Sequence, residues 1–115
     1  MDGKAHEAEA AVVKTWRYDD LAASLPRGLL PHMNVLTIDA QGMELEILRG
    51  MADSLAQFDV AVVEVSGVEM YRGQSLAPAV HAFLTSRGFK CRGHCGYCDH
   101  CDRQYVRPAN ERRVV

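Results

Sequence analysis

Two carboxylates and a cluster of thiols carry the residue types and spacings that could do chemistry in this 115-residue chain. Asp39 follows the apolar run Val35-Leu36-Thr37-Ile38 and precedes the turn Ala40-Gln41-Gly42. Ligands of open α/β sheets sit at the carboxyl ends of the strands, so an acid at that point is aimed at a reaction more than at packing. Glu64 stands near the end of a second apolar run and would lie close to Asp39 on an adjacent parallel strand. Two neighbouring carboxylates hold split proton affinities or share a cation. Glu44 is a third acid, although the first turn of a helix favours acids through its dipole alone. The bland reading of Asp39 is a strand-end carboxylate that caps the next helix.

All four cysteines fall in one segment, Cys91-x3-Cys95-x2-Cys98-x2-Cys101, with His94 and His100 interleaved. In a reducing compartment such a cluster points to metal before disulfide. Zinc takes four tetrahedral nitrogen or sulfur ligands, so structural zinc is one reading, with a histidine replacing a cysteine as a variant. Unliganded cysteines in a surface hairpin are the other. The first three cysteines also share the C-x3-C-x2-C spacing of radical S-adenosylmethionine iron–sulfur sites. That motif belongs near the start of a long barrel chain, and its occurrence late in a short one is coincidental.

The elements that must position these groups follow from periodicity and breakers. Residues 1–11 read as a flexible lead-in, and 12–18 alternate as a strand would. Asp19 or Asp20 would cap a short helix, 21–25, ended by Pro26 and Gly28. Residues 34–39 read as a strand buried on both faces. After the Gly42 turn a helix is predicted over 43–57, with Leu45, Leu48, Met51, Ala52 and Leu55 on one side and Gly50 weakening its middle. A second buried strand covers 59–65, and 66–74 form a loop carrying Tyr71. Ser75 would cap a helix with the stripe Leu76, Val80, Phe83 and Leu84, stopped at Gly88. Short strands at 89–92 and 104–107 would make a hairpin with the cysteines at its tip. Alternating strands and helices predict parallel pairing with crossover helices.

The totals narrow the classes. A chain of this length holds one domain with a modest core. A net charge of −2 gives no global field for nucleic acid or an anionic membrane. Arg103, Arg107, Arg112 and Arg113 read as a solvated basic end, with 108–115 as its tail. No apolar run approaches the roughly 20 residues that span a bilayer. The polar amino terminus is unlike a secretory signal, so a cytoplasmic location is the expectation.

The run Ile38-Asp39-Ala40-Gln41-Gly42-Met43-Glu44-Leu45-Glu46-Ile47-Leu48-Arg49-Gly50 resembles the signature of FkbM-type methyltransferases, I-D-x-[EQ]-G-x-E-x-x-[VIL]-L-[KR]-G. Tyr18-Asp19-Asp20-Leu21 is similar to that family's "LDDL" step, with tyrosine in place of leucine. Val62-Val63-Glu64-Val65 and Tyr71 resemble its next strand and loop, and Phe83-Leu84 with Gly88-Phe89 its "fL…GF" close. The likeness covers residues 12–107.

The resemblance implies a Rossmann-like class I fold and S-adenosylmethionine-dependent methylation of a hydroxyl group on a sugar or natural product. It implies that Asp39 faces the sulfonium and the incoming hydroxyl, with Glu44 and Glu64 as further catalytic acids. Gln41 would contact cofactor or substrate, and Tyr71 would contact substrate or act as a lid, with plain packing as its alternative. Glu46 is expected at the surface, and His32 and His81 receive no role. The family's glycine-rich first strand and later acidic strand end have no counterpart, so the chain is expected to be the second half of such a domain. The edge beside the strand ending at Asp39 would then be bare, inviting a homodimer or a complementing chain. The alternative function is an inactive interaction module with a zinc-binding hairpin.

Overall fold

A computed structural model describes residues 10–26 and 35–108. The expected lead-in up to residue 9, the link 27–34 with Gly28 and His32, and the tail from 109 onward with Arg112 and Arg113 lie outside the described residues.

The chain builds a mixed α/β layer: helix α1 (Tyr18–Ala23), strand β1 (Val35–Ile38), helix α2 (Glu44–Gly50), strand β2 (Val60–Ser66), helix α3 (Ala77–Ser86), and strands β3 (Lys90–Arg92) and β4 (His100–Val106). The sheet order is β1-β2-β4-β3. β1 and β2 pair in parallel with Ile38 opposite Val63, whereas β4 is antiparallel to both β2 and β3. The parallel expectation therefore holds for β1 and β2. The hairpin does close the sheet, but its second strand, rather than its first, lies against β2.

Alternation sets the two faces. Ile38, Ala61, Val63, Val65 and Tyr105 turn inward and pack with Leu45, Leu48, Met51, Leu55, Phe58, Val80, Leu84 and Phe89 as one core. Thr37, Glu64, His100 and Asp102 occupy positions of the other parity. Consequently β1 is not buried on both faces: Val35 and Thr37 are exposed, because β1 is an edge strand and α2 covers only its Leu36–Ile38 side.

Several local expectations are corrected. Residues 10–17 form no strand and are exposed, because no neighbouring strand pairs with them. Neither Asp19 nor Asp20 caps α1, whose N-cap is Arg17. Asp19 instead accepts hydrogen bonds from the Asp53 and Ser54 amides, 3.1 Å each, and from the Ser54 hydroxyl, tying α1 to the chain after α2. The helix expected over 43–57 stops at Gly50, then continues as a turn and a short 3-10 segment, Leu55–Gln57. Leu48, Met51 and Leu55 remain in the core, so the apolar spacing served packing without a continuous helix. α3 starts with Pro78 in its first turn, a position that tolerates the missing amide hydrogen. Ser75 does not cap it, and its hydroxyl donates to Glu46 across 3.4 Å.

The described part of the basic end, Arg103 and Arg107, is not solvated. Arg107 donates to the carbonyls of Phe58, Arg87 and Leu55 at 2.8–2.9 Å, and its guanidinium lies 4.2 Å from the Phe89 ring centre. Arg103 is buried.

Candidate functional site

The carboxyl ends of β1 and β2 meet at one edge of the sheet, together with three connecting segments: the turn after β1, the loop 66–74, and the cysteine tip 93–99. Asp39 follows β1 and is exposed; Glu64, on β2, is half-buried. Asp39 is the neighbour that acts most strongly on the Glu64 carboxyl. That neighbour and burial push the Glu64 carboxyl above the ordinary carboxylate range, while the facing His100 imidazole pulls the other way.

Glu64 pairs with Nε2 of His100 on β4. The other imidazole nitrogen, Nδ1, lies 2.8 Å from the Ser66 hydroxyl, which accepts from the Gln74 amide at 3.0 Å. Gln74 in turn accepts from the amides of Met70 and Tyr71, at 2.8 and 3.2 Å. The result is a continuous polar chain from Asp39 through Glu64, His100 and Ser66 into the 66–74 loop. Such a chain can hold a proton at the acid pair and hand it to an imidazole. The sequence offers His100 only as a zinc ligand and does not mark Ser66 or Gln74. Register supplies the missing signal: Ser66 is opposite His100, and Glu64 opposite Asp102.

The turn after β1 brings Tyr71 to this edge. Gln41 adopts φ +52° and Gly42 φ +106°, left-handed angles that glycine takes at little cost. A Cβ on Gly42 would stand 3.4 Å from the Tyr71 ring and 3.3 Å from Gln74, so the loop closes tightly on the turn. Gln41 is exposed there, and Tyr71 is exposed apart from that contact. Glu44 is placed differently. Only 2% exposed, it accepts from the amides of Ala40 at 2.8 Å and Gly42 at 3.1 Å. Its carboxylate fixes the turn that presents Asp39 and Gln41.

The cysteines do not form a zinc site. Cys91 is bonded to Cys95 and Cys98 to Cys101, which removes the thiolates a zinc ion would need. Among the described residues no group of three or more His, Cys, Asp or Glu is arranged to hold a metal. The bonded tip docks on the end of β2: the Gly67 amide donates to the carbonyls of Cys98 and Asp99, both at 3.0 Å.

A family model described as the methyltransferase FkbM domain matches residues 9–91. The chain belongs to the FkbM methyltransferase domain family. The FkbM match takes in Asp39, Gln41, Glu44, Glu64 and Tyr71 and ends as the cysteine tip begins. The hexuronic acid methyltransferase AglP of Haloferax volcanii is 38% identical over 58 residues, half of this chain and 23% of that protein. The aligned part of the chain thus spans about a quarter of that relative. No solved structure matches the chain. Among the described residues no helix is long and apolar enough to cross a membrane.

Proposed function

We propose that this chain supplies the acid-bearing part of a Rossmann-like, S-adenosylmethionine-dependent methyltransferase that acts on a hydroxyl group of a sugar-like acceptor. The observation that carries the reading is the placing of two acids, Asp39 and Glu64, at the adjacent carboxyl ends of the parallel strands β1 and β2, inside the family-matched region. The donor set there, two carboxylates with Asp39 open to solvent, suits a sulfonium cation. Asp39 and Gln41 would hold that end of the cofactor, which supplies an electrophilic methyl group. Asp39 orients the acceptor hydroxyl and takes its proton, and Glu64 and His100 share the charge that arrives. Tyr71, packed on Gly42 beside the acids, borders the acceptor. The hexuronic acid in the relative's name supports a sugar acid as the acceptor class.

The test is methyl transfer from labelled S-adenosylmethionine to hexuronic acid glycosides, with cofactor binding measured separately. Asp39→Asn should retain cofactor binding and lose turnover by about 10²–10⁴-fold; unchanged turnover removes Asp39 from the mechanism. The same reading pairs a further strand, from a second copy or a complementing chain, along the edge of β1 that no described strand occupies. A monodisperse monomer in sedimentation at high concentration refutes that pairing.

A further inference from the structure

The second face of β4 leads to a different place. Arg103 points toward the core side of the sheet, opposite Val63, and is only 5% exposed. Among the described residues it has no carboxylate partner. One Nη2 hydrogen goes to the Gly96 carbonyl at 2.7 Å, and Nη1 lies 3.5 Å from the Tyr105 hydroxyl. Its Nε is buried with no hydrogen-bond partner among the described residues. A buried charge without a counter-charge is costly enough that proteins pair it, with a side chain or a ligand.

Arg103 lines a cavity of about 400 Å³ between the start of α3 and the disulfide-bonded tip. That volume falls within the range of small-molecule sites. Pro78, His81, Gly96 and Tyr97 are also at its wall, and among the described residues no acidic residue lines it, although the Tyr97 hydroxyl donates to Asp99 at 2.7 Å. Tyr105 accepts from Arg103, so its own hydrogen is available to Nδ1 of His81, 3.0 Å away. α3 adds the positive end of its dipole, with no acid in its first turn and no side-chain cap. The chemistry is therefore one fixed cation, an imidazole and an aromatic wall. A single positive charge suits a monoanion rather than a phosphate dianion, and the guanidinium fork matches a planar carboxylate.

We propose that this cavity binds the carboxylate of a small acidic ligand, with Arg103 as its counter-charge and Tyr97 against the body of the molecule. The site lies outside the family-matched residues for its cation and its aromatic wall. That the bound molecule is the methyl acceptor rests on the function proposed above; carboxylate binding itself does not.

The experiment is an ¹⁵N NMR titration of the full chain with glucuronate, glucose and inorganic phosphate, reading the Arg103 Nε–H resonance. Glucuronate should shift it saturably, together with the amides of residues 95–98, while glucose leaves it in place and phosphate binds more weakly. A variant, Pro78→Glu, sets a competing carboxylate at the rim on an exposed first-turn position that favours acids. It should keep the fold and weaken glucuronate at least tenfold. Equal response to glucose, tighter binding of phosphate, no response to glucuronate, or unchanged affinity in Pro78→Glu overturns the proposal. Methyl transfer is not read in this titration, so its failure and the failure of the methyltransferase reading are separate results.

Discussion

Gly67→Ala tests whether the cysteine tip is held by close backbone approach. Gly67 follows β2, and a Cβ there would stand 2.4 Å from the Tyr97 ring and 2.5 Å from the Cys98 carbonyl oxygen. The ring can rotate away; the carbonyl belongs to the backbone of a segment closed by a disulfide. The tip must therefore lift, and the amide of residue 67 loses its bonds to Cys98 and Asp99. Overpacking of this kind costs about 1–3 kcal/mol, and the lost hydrogen bonding about 1 kcal/mol more, giving roughly 2–4 kcal/mol. For a domain of this size each kcal/mol is worth about 4–8 °C in Tm, so the variant should melt at least about 8 °C lower. Gly73→Ala is the control. It imposes a left-handed angle, φ +74°, on alanine, which Gly67→Ala does not, yet its Cβ would meet nothing within 4 Å, so only the backbone penalty of about 1–2 kcal/mol applies. Thermal unfolding gives the total, and the Arg103 Nε–H resonance reports whether the cavity has opened. If Gly67→Ala is no more destabilising than Gly73→Ala and leaves that resonance in place, the docking argument is wrong.

Replacing Glu44 by Ala leaves the Ala40 and Gly42 amides without their carboxylate; about 2–4 kcal/mol should be lost in denaturant titration, and the same loss in Glu44→Gln would show that charge rather than shape matters. Asp39→Asn removes the neighbour that raises the Glu64 acid, so carboxyl ¹³C NMR should show Glu64 titrating at lower pH than in the parent chain. Because the Glu64 value is raised in the fold, the stabilisation from protonated Glu64 is present below the ordinary carboxylate value and is lost as pH rises through the raised one; the urea midpoint of the parent should fall more than that of Asp39→Asn as pH rises through that window. Asp19 has the opposite sign. Burial alone would raise it, but the Ser54 hydroxyl, the amides of Asp53 and Ser54, and Arg17 outweigh burial and hold it below the usual range. Its contribution is thus present above the unfolded carboxylate value and lost as pH falls through the lowered one, and Asp19→Asn should flatten acid unfolding. Reduction of the two disulfides should cost about 2 kcal/mol each by loop-closure entropy, seen as a lower urea midpoint in dithiothreitol.

The run from Val35 to Gly50 was legible because strand, turn and helix each leave a local mark: apolar residues, a glycine that must take a left-handed angle, and leucines at three and four. Proximity of Asp39 to Glu64 followed from parallel pairing of two such units. What escaped was set by partners distant in the chain. Alternation at 12–18 is the mark of a strand only where another strand lies alongside. The basic residues near the end looked solvated because spacing cannot reveal that Arg103 faces inward on β4 or that Arg107 reaches carbonyls of three separate segments. His100 was hidden for the same reason. Its partners, Glu64 and Ser66, are brought to it by antiparallel register, and nothing within the cysteine segment encodes that register.

β4, the last strand of the described chain, is also an interior one, with β2 on one flank and β3 on the other. During folding, then, β3 has no neighbour to hydrogen-bond until β4 arrives, and β2 keeps one side open until the same moment. The imidazole that completes the acid pair and the guanidinium that faces the cavity are carried in by that one insertion, on opposite sides of a single strand. Both sites should therefore gain protection from hydrogen exchange at the same time, as the final step of assembly.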